Sequence, residues 1–222
     1  MKVVITAATD KETAQIKDTI NPIYTGGNNQ RKVSFHESGV GLLASCFSIS
    51  RLIFEQKPDL IIQAGIAGTF DSKQLLSKVV IIKEEQLADT GVEENGRFKD
   101  LFDLNLNEPD NYPFKNRKLV NTYLQRLNFL KLEEVTGITI NEITTRPERI
   151  ELLKAKYNAQ IESMEGAALH YCCLQTATPF IQIRAISNYI GERDKSKWKF
   201  KDSFDNLSSI VLRYVDHLYN SK

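Results

Sequence analysis

Two short stretches carry side chains that could do chemistry: Ser163-Met164-Glu165-Gly166-Ala167-Ala168 and Arg184-Ala185-Ile186-Ser187-Asn188. Each continues a buried apolar run, Ala159 to Met164 before Glu165 and Phe180 to Ile186 before Ser187 and Asn188. A polar side chain at the end of a buried strand opens into the crevice where open α/β sheets take up ligands. A carboxylate there accepts hydrogen bonds from both hydroxyls of a diol, and a carboxamide offers a donor and an acceptor to a flat heterocycle. A ligand with those two ends has the shape of a nucleoside. Both residues also have plain readings. Glu165 suits the first turn of a helix, where the dipole favours an acid, and Asn188 suits the cap of a turn leading to Gly191.

The elements that must position these side chains alternate. Val3 to Ala8 reads as a buried first strand and Asp10 to Thr19 as the helix after it. Lys32 to Ser38 alternates into Gly39-Val40-Gly41, and a helix follows from about Leu42 to Gln56. Pro58-Asp59 breaks the chain before a strand from Leu60 to Ala64, which ends in Gly65-Ile66-Ala67-Gly68; Val79 to Lys83 supplies another. Residues 90–116 read as a long irregular excursion, Asn116 to Leu127 as helix and Glu134 to Ile140 as strand. Helical patterns follow at Pro147 to Tyr157, at Gly166 to Thr176, and from about Phe204 to Tyr219. Apolar strands alternating with helices imply an α/β fold whose largely parallel sheet is covered on both faces. No repeat, low-complexity segment or linker divides the chain, so residues 1–222 are expected to form a single domain.

Bulk properties narrow the classes. With 41% hydrophobic and 26% charged residues and a net charge of +1, nothing in the charge favours nucleic acid or a membrane surface as partner. No apolar run approaches the ~20 residues of a spanning helix, and Val3 to Ala8 is too short for a signal-peptide core. Three cysteines, two of them adjacent at Cys172 and Cys173, form neither a disulfide framework nor a spaced metal set. The expectation is a cytoplasmic protein with reduced thiols, no metal and no cofactor. His36, His170 and His217 have no partner spacing and are assigned no chemistry. The glycine segments are open to two readings each. Gly39-Val40-Gly41 is either a tight strand-to-helix turn or a cradle of backbone N–H groups for an anion. Gly65 to Gly68 allows either a ligand or a helix to lie against main chain.

In order along the chain, Glu12 beyond the first strand, Ser38 to Gly41, Lys57-Pro58-Asp59 with Leu60 to Gly68, Ser163 to Ala168, and Arg184 to Asn188 resemble the nucleoside phosphorylase and nucleosidase superfamily. The resemblance covers nearly the whole chain. It is strongest to the nucleosidase branch and, through Asn188, Gly191 to Lys195 and Trp198, to futalosine hydrolases of the alternative menaquinone pathway. It implies a central mixed, partly barrel-like β-sheet flanked by helices, in a homodimer or higher homo-oligomer, acting on a small-molecule purine nucleoside. By the same resemblance Glu165 binds the ribose hydroxyls with Met164 packed beside the sugar, and Glu12 activates the attacking water. Read alone, Glu12 is only part of a charged helix start.

Asn188 is the discriminating residue. Relatives that cleave adenine nucleosides carry an aspartate here that serves adenine N7 as proton donor. Asparagine instead can donate to O6 of a 6-oxopurine and accept from a protonated N7. The expected reaction is hydrolysis of futalosine to hypoxanthine and dehypoxanthine futalosine. A methylthioadenosine/S-adenosylhomocysteine nucleosidase is the nearest alternative, and a non-catalytic purine-nucleoside binder is one of another class. A phosphorylase would need arginines to hold phosphate, where this chain has Gln63 and Ala7-Ala8. The family's purine-stacking segment corresponds to Ile138 to Thr145, which has no aromatic residue. Ile140, Asn141 and Ile143 are therefore expected to line the base, Gly65 and Ile66 to present main chain to it, and Trp198 to close over it. Arg193, Arg97 and Lys115 are candidates to meet a carboxylate at the 5′ end. Leu101 to Phe114 reads as a 5′ pocket or a subunit contact.

Overall fold

The computed structural model describes residues 1–24 and 32–220. Strand β1 (Lys2–Ala7), helix α1 (Asp10–Tyr24), β2 (Lys32–Glu37), α2 (Leu42–Gln56) and β3 (Leu60–Thr69) form the first half. They are followed by β4 (Val79–Leu87), the hairpin β5 (Gly91–Glu94) and β6 (Arg97–Asp100), β7 (Leu119–Val120) and the single turn α3 (Leu124–Leu127). Next come β8 (Glu134–Thr139), α4 (Pro147–Tyr157), β9 (Ile161–Ser163), α5 (Gly166–Gln175), β10 (Phe180–Tyr189) and α6 (Phe200–Asn220).

The sheet is mixed and closes on itself. β10, β4, β8, β9 and β3 pair in that order, and β10 also pairs with β3, so five strands complete a ring. β1 and β2 extend from β3 as an open parallel wing, and β7 adds to β4. This is the partly barrel-like arrangement expected. Two apolar layers hold the wing between helices. Ile5, Ile62 and Ile183 pack against Ile16 and Ile20 of α1 and against Leu207, Val211 and Val215 of α6. On the other face Val4, Ile61 and Phe180 meet Ile49 and Leu52 of α2 and Leu169 and Cys173 of α5.

Beside longer α1, β4 and α6 than the sequence reading gives, four departures from it stand out. β3 does not stop at Ala64 but runs through both glycines to Thr69, because it pairs along that length with β10 and then β9. β10 likewise runs past Ile186, carrying Ser187 and Asn188 on the strand rather than beyond it. Within the excursion after residue 90, β5 and β6 form an exposed antiparallel hairpin. The stretch Asn116 to Leu127 is not a helix. Asn116 and Arg117 take left-handed φ values of 47° and 66°, β7 pairs with β4, and one turn of helix remains. Helix periodicity in a short segment loses to ladder hydrogen bonds when a sheet edge is within reach.

Candidate active site

A cavity of about 540 Å³ opens at the carboxyl ends of β1, β3 and β10, and Glu12, Glu165 and Asn188 all line it. The outermost two are 176 positions apart in the chain (12 and 188), yet the first turn of α1, the N-cap of α5 and the end of β10 bring all three together at one sheet edge. Met164, Ile66, Ile140, Ile143 and Trp198 also line this cavity, with Arg193 and Lys11 among the lining cations. Gly65 and Asn141 do not. The Asn141 side chain accepts from Leu42 N, and its backbone N donates to Asp89. Arg97, Lys115 and the 101–114 segment have no part in its wall. Phe102 and Phe114 instead pack edge to face at 5.2 Å in the α2–α5 apolar layer.

One end of the cavity is charged, and its carboxylates are held by backbone N–H groups and by Arg184, whose Nε is left without a partner among the described residues. Glu12 stands in the first turn of α1, where Oε2 accepts from Ala8 N at 3.1 Å and Thr9 N at 3.2 Å. Its Oε1 accepts from Ile66 N at 3.3 Å. Burial pushes the Glu12 pKa above the ordinary glutamate value and the nearby Glu165 charge adds to this, while Arg184 opposes it. Glu165 is the N-cap of α5, but its side chain reaches to a different helix. Oε1 accepts from Gly41 N, the N-cap of α2, at 3.0 Å. The glycine turn at residues 39–41 therefore does hold an anion at a helix N-terminus, and that anion is the protein's own carboxylate.

Arg184 links the two acids, a role the sequence reading did not assign. It is one of the most deeply buried large side chains. Its Nη2 lies 3.8 Å from Glu165 Oε2 and donates to Gln63 Oε1 at 3.0 Å. Gly65 makes this possible. A Cβ there would lie 2.4 Å from Arg184 Nη1 and 2.9 Å from Glu12 Oε1. The bare face of Gly65 thus accommodates the protein's own Arg184 and Glu12 side chains rather than a ligand. The signal in the sequence was present, since Gln63, Gly65 and Arg184 lie on neighbouring strands. Their pairing, Arg184 beside Gly65, needed the β3–β10 register.

Behind α5 lies a third acid. Glu85 is completely buried, accepting from Gln182 Nε2 at 2.9 Å and Thr139 Oγ1 at 3.0 Å. Thr139 Oγ1 in turn accepts from Ala167 N at 2.8 Å, so this network fixes the first turn of the helix that Glu165 caps. Burial raises the Glu85 pKa to about 7, against the pull of Gln182, Arg184 and Thr139.

The opposite end is wired more sparsely. The pairing of β10 with β3 shifts register between Ile186 and Asn188. This bulge re-aims the strand, so that Asn188 rather than Ser187 stands beside Gly68. Asn188 Oδ1 accepts from Ser187 Oγ at 2.8 Å, and Nδ2 donates to Tyr189 O at 3.0 Å. An amide has two donors and two acceptor sites, so one of each is left over. Trp198 is held at the rim by donation from Nε1 to Glu192 O at 3.1 Å.

A closed mixed sheet with acids at its carboxyl edge, facing an amide across one cavity, defines an enzyme of the nucleoside-processing class. The chain belongs to the phosphorylase superfamily, whose family model matches residues 2–219. Among curated relatives, futalosine hydrolase of Thermus thermophilus is 27% identical over 81% of this chain and 79% of its own. The 5′-methylthioadenosine/S-adenosylhomocysteine nucleosidase of Lysinibacillus sphaericus is 26% identical over 96% of this chain and 95% of its own. Two solved structures from Helicobacter pylori share the fold. A 5′-methylthioadenosine/S-adenosylhomocysteine nucleosidase superposes with a TM-score of 0.80 at 17% identity, covering 98% of both chains. Futalosine hydrolase superposes with a TM-score of 0.79 at 16% identity, again over 98% of both. The relatives are nucleosidases, and at these identities they divide between two substrates.

Proposed function

We propose that this protein is an N-ribosyl hydrolase that releases hypoxanthine from futalosine or a closely similar 6-oxopurine nucleoside. The observation that carries this reading is the convergence of Glu12, Glu165 and Asn188 on one cavity. Cleaving an N-glycosidic bond builds positive charge on the ribosyl ring and negative charge on the departing purine. Glu165 accepts from the ribose hydroxyls and lies near the growing cation, fixed in place by Gly41 N and Arg184. Glu12 takes a proton from water as its oxygen bonds to C1′. The electrons of the C1′–N9 bond pass to the purine, which takes up a proton at N7 from solvent water as it leaves, while Asn188 donates to O6 and accepts from that N7–H.

Arg184 does not make this a phosphate site. Its charge is already shared by Glu165 and Gln63, and Glu12 beside it would repel a dianion. We read Arg193, at the cavity rim and stacked 5.8 Å from the Trp198 ring, as the cation for a 5′ carboxylate. Residues 1–222 are taken as one domain, and the protein as a homo-oligomer. Leu43, Phe47 and Phe54 expose apolar surface along α2, continuous with Val40 at the cavity lip, and a second copy of this chain is the partner proposed for that face. The free thiols of Cys46, Cys172 and Cys173 support a cytoplasmic setting. Among the described residues no helix is long and apolar enough to cross a membrane.

The test is incubation of pure protein with futalosine, inosine and methylthioadenosine, with and without phosphate, followed by chromatography of the bases. Hypoxanthine should appear from futalosine without phosphate. Cleavage of methylthioadenosine alone would assign the adenine-releasing activity, and ribose 1-phosphate as product would assign a phosphorylase. Tight binding without cleavage would leave a binder.

A further inference from the structure

Two helices whose N-caps meet at Glu165 also meet through sulfur. Cys46 lies in the second turn of α2 and Cys172 in the second turn of α5, 126 positions apart, with their Sγ atoms 3.6 Å from one another. A further contact runs from Cys172 Sγ to Cys46 O, also at 3.6 Å. Ser50 Oγ, one turn further along α2, is 3.3 Å from Cys172 Sγ. The two thiols thus touch at van der Waals separation, and roughly 1.5 Å of approach would close an S–S bond. They differ in access. Cys172 is buried, whereas Cys46 is half-buried and reaches solvent. Cys173, next in the chain, is fully buried in the apolar layer between α2 and α5.

We propose that Cys46 and Cys172 form a modification site, a thiol pair that a small hydroperoxide converts to a disulfide locking α2 to α5. The same helices are joined about one turn earlier, where Gly41 N, the N-cap of α2, donates to Oε1 of Glu165, the N-cap of α5. Drawing them together at the sulfurs bears on the carboxylate that, on the nucleosidase reading above, holds the ribose. The chemistry takes two steps. The Cys46 sulfur, the more accessible one, attacks a peroxide oxygen. The O–O bond breaks, and the hydroxide released takes the thiol proton, leaving a sulfenic acid and water. The Cys172 sulfur then attacks the Cys46 sulfur and expels its hydroxyl as hydroxide. Burial pushes the Cys172 thiol up to about 12, so it enters as a thiol whose proton passes to that departing hydroxide. Two thiols lose two hydrogens between them, and one peroxide is reduced to two waters. Leu43 and Phe47, on either side of Cys46, belong to the apolar face proposed above for a second copy. That position favours a small peroxide over a bulky disulfide as the oxidant.

The experiment treats the pure protein, in its native assembly, with hydrogen peroxide and then alkylates the remaining thiols. Intact mass and peptide maps are read before and after dithiothreitol. Of the free thiols at Cys46, Cys172 and Cys173, only Cys173 should remain open to alkylation once the protein is unfolded. Before alkylation the protein should be about two mass units lighter, one for each hydrogen lost, with a peptide joining residue 46 to the 172–173 segment. Dithiothreitol should reverse all of this. Cys173→Ser should still form the link, and Cys46→Ser and Cys172→Ser should lose it, with melting curves to show that each variant is folded. On a nucleoside substrate the cross-linked protein should turn over about 10-fold more slowly, the cost of one weakened hydrogen bond to a charged group, and recover on reduction. Oxidation of Cys46 to sulfinic acid alone, a disulfide between two copies, or a link through Cys173 would overturn the pair. A fully cross-linked protein with an unchanged rate would overturn its coupling to Glu165. Should neither form cleave any nucleoside, the nucleosidase reading would fall, while the mass measurement would still decide the disulfide.

Discussion

The two ends of the cavity follow opposite plans. At the Glu12 end each carboxylate already has its partners: Ala8 N, Thr9 N and Ile66 N for Glu12, Gly41 N and Arg184 for Glu165. At the Asn188 end, hydrogen-bonding capacity is left open. Among the described cavity-lining residues, the buried side-chain atoms without a partner are Thr144 Oγ1, Glu162 Oε2 and Ser163 Oγ, all on β9 or the loop facing it. The difference separates two tasks. Groups that stabilise developing charge work best when fixed beforehand, because no reorganisation is left to the moment of reaction. Groups that choose a ligand work best when only the right ligand completes them. On the function proposed above, catalysis would fall to the wired end and selection to the open one.

The sharpest way to break that division is at Glu12. Glu12→Gln keeps an oxygen for the Ala8 and Thr9 amides but removes the base and the acceptor for Ile66 N, and should lower kcat/KM about 10²–10⁴-fold, far more than the roughly 1 kcal/mol of stability lost with one hydrogen bond. Burial holds the Glu12 pKa above its ordinary value. The wild-type rate should therefore rise with pH through an inflection above the usual glutamate range, as the acid form loses its proton. That inflection should vanish in Glu12→Gln. An unchanged rate would remove Glu12 from the mechanism.

The rigidity of the wired end rests on Glu85, and its signature is stability rather than rate. Burial lifts its pKa from 4.5 to about 7, so the folded state binds this proton more tightly than the unfolded chain. The stabilisation is complete below pH 4.5 and is lost as pH rises to about 7, a change of roughly 3 kcal/mol. Glu12 and Glu162 are shifted the same way and slope in the same direction. Glu85→Gln should flatten the loss of stability over that window in denaturant titrations. A slope equal to the wild type's would mean that Glu85 stays ionised.

Much of this was legible in the chain, and the rest was hidden for identifiable reasons. Glu165 and Asn188 could be found because each closes a buried apolar run, and α2, α4 and the strand after Pro58 follow from their periodicity and breakers. Arg184 sits in plain view in the same motif as Asn188, but its role depends on Gly65 lying beside it, and strand register between distant segments is not written in either segment. Glu162 was passed over inside a run read as buried strand. Its face is set by an antiparallel pairing with β3. The single turn α3 and the strand β7 were misread because a two-residue strand has no period to detect.

Gly65 offers a smaller perturbation of the wired end. In Gly65→Ala the new methyl would crowd Arg184 Nη1 at 2.4 Å and Glu12 Oε1 at 2.9 Å. Overpacking of this kind costs about 1–3 kcal/mol. Here it should appear as a lower melting temperature together with a lower kcat, because the displaced groups are Glu12 and the arginine that faces Glu165. A variant with wild-type stability and rate would mean that Arg184 and Glu12 have room to spare.

The smallest effect is expected at the open end and tests selection by itself. Asn188→Asp keeps an acceptor for Ser187 Oγ but loses the donors for Tyr189 O and for a purine O6. The lost hydrogen bond and the added charge facing O6 should lower kcat/KM for a hypoxanthine-releasing substrate by roughly 10-fold. Methylthioadenosine should be hurt less, since its amino group donates where O6 accepts. The ratio of the two rates is the measurement, because damage to folding would lower both together. The Glu12 inflection should stay at the same pH, as the substitution lies at the far end of the cavity. If the ratio held steady while the inflection moved, the two ends would be one electrostatic unit, and the division of labour between them would have to be abandoned.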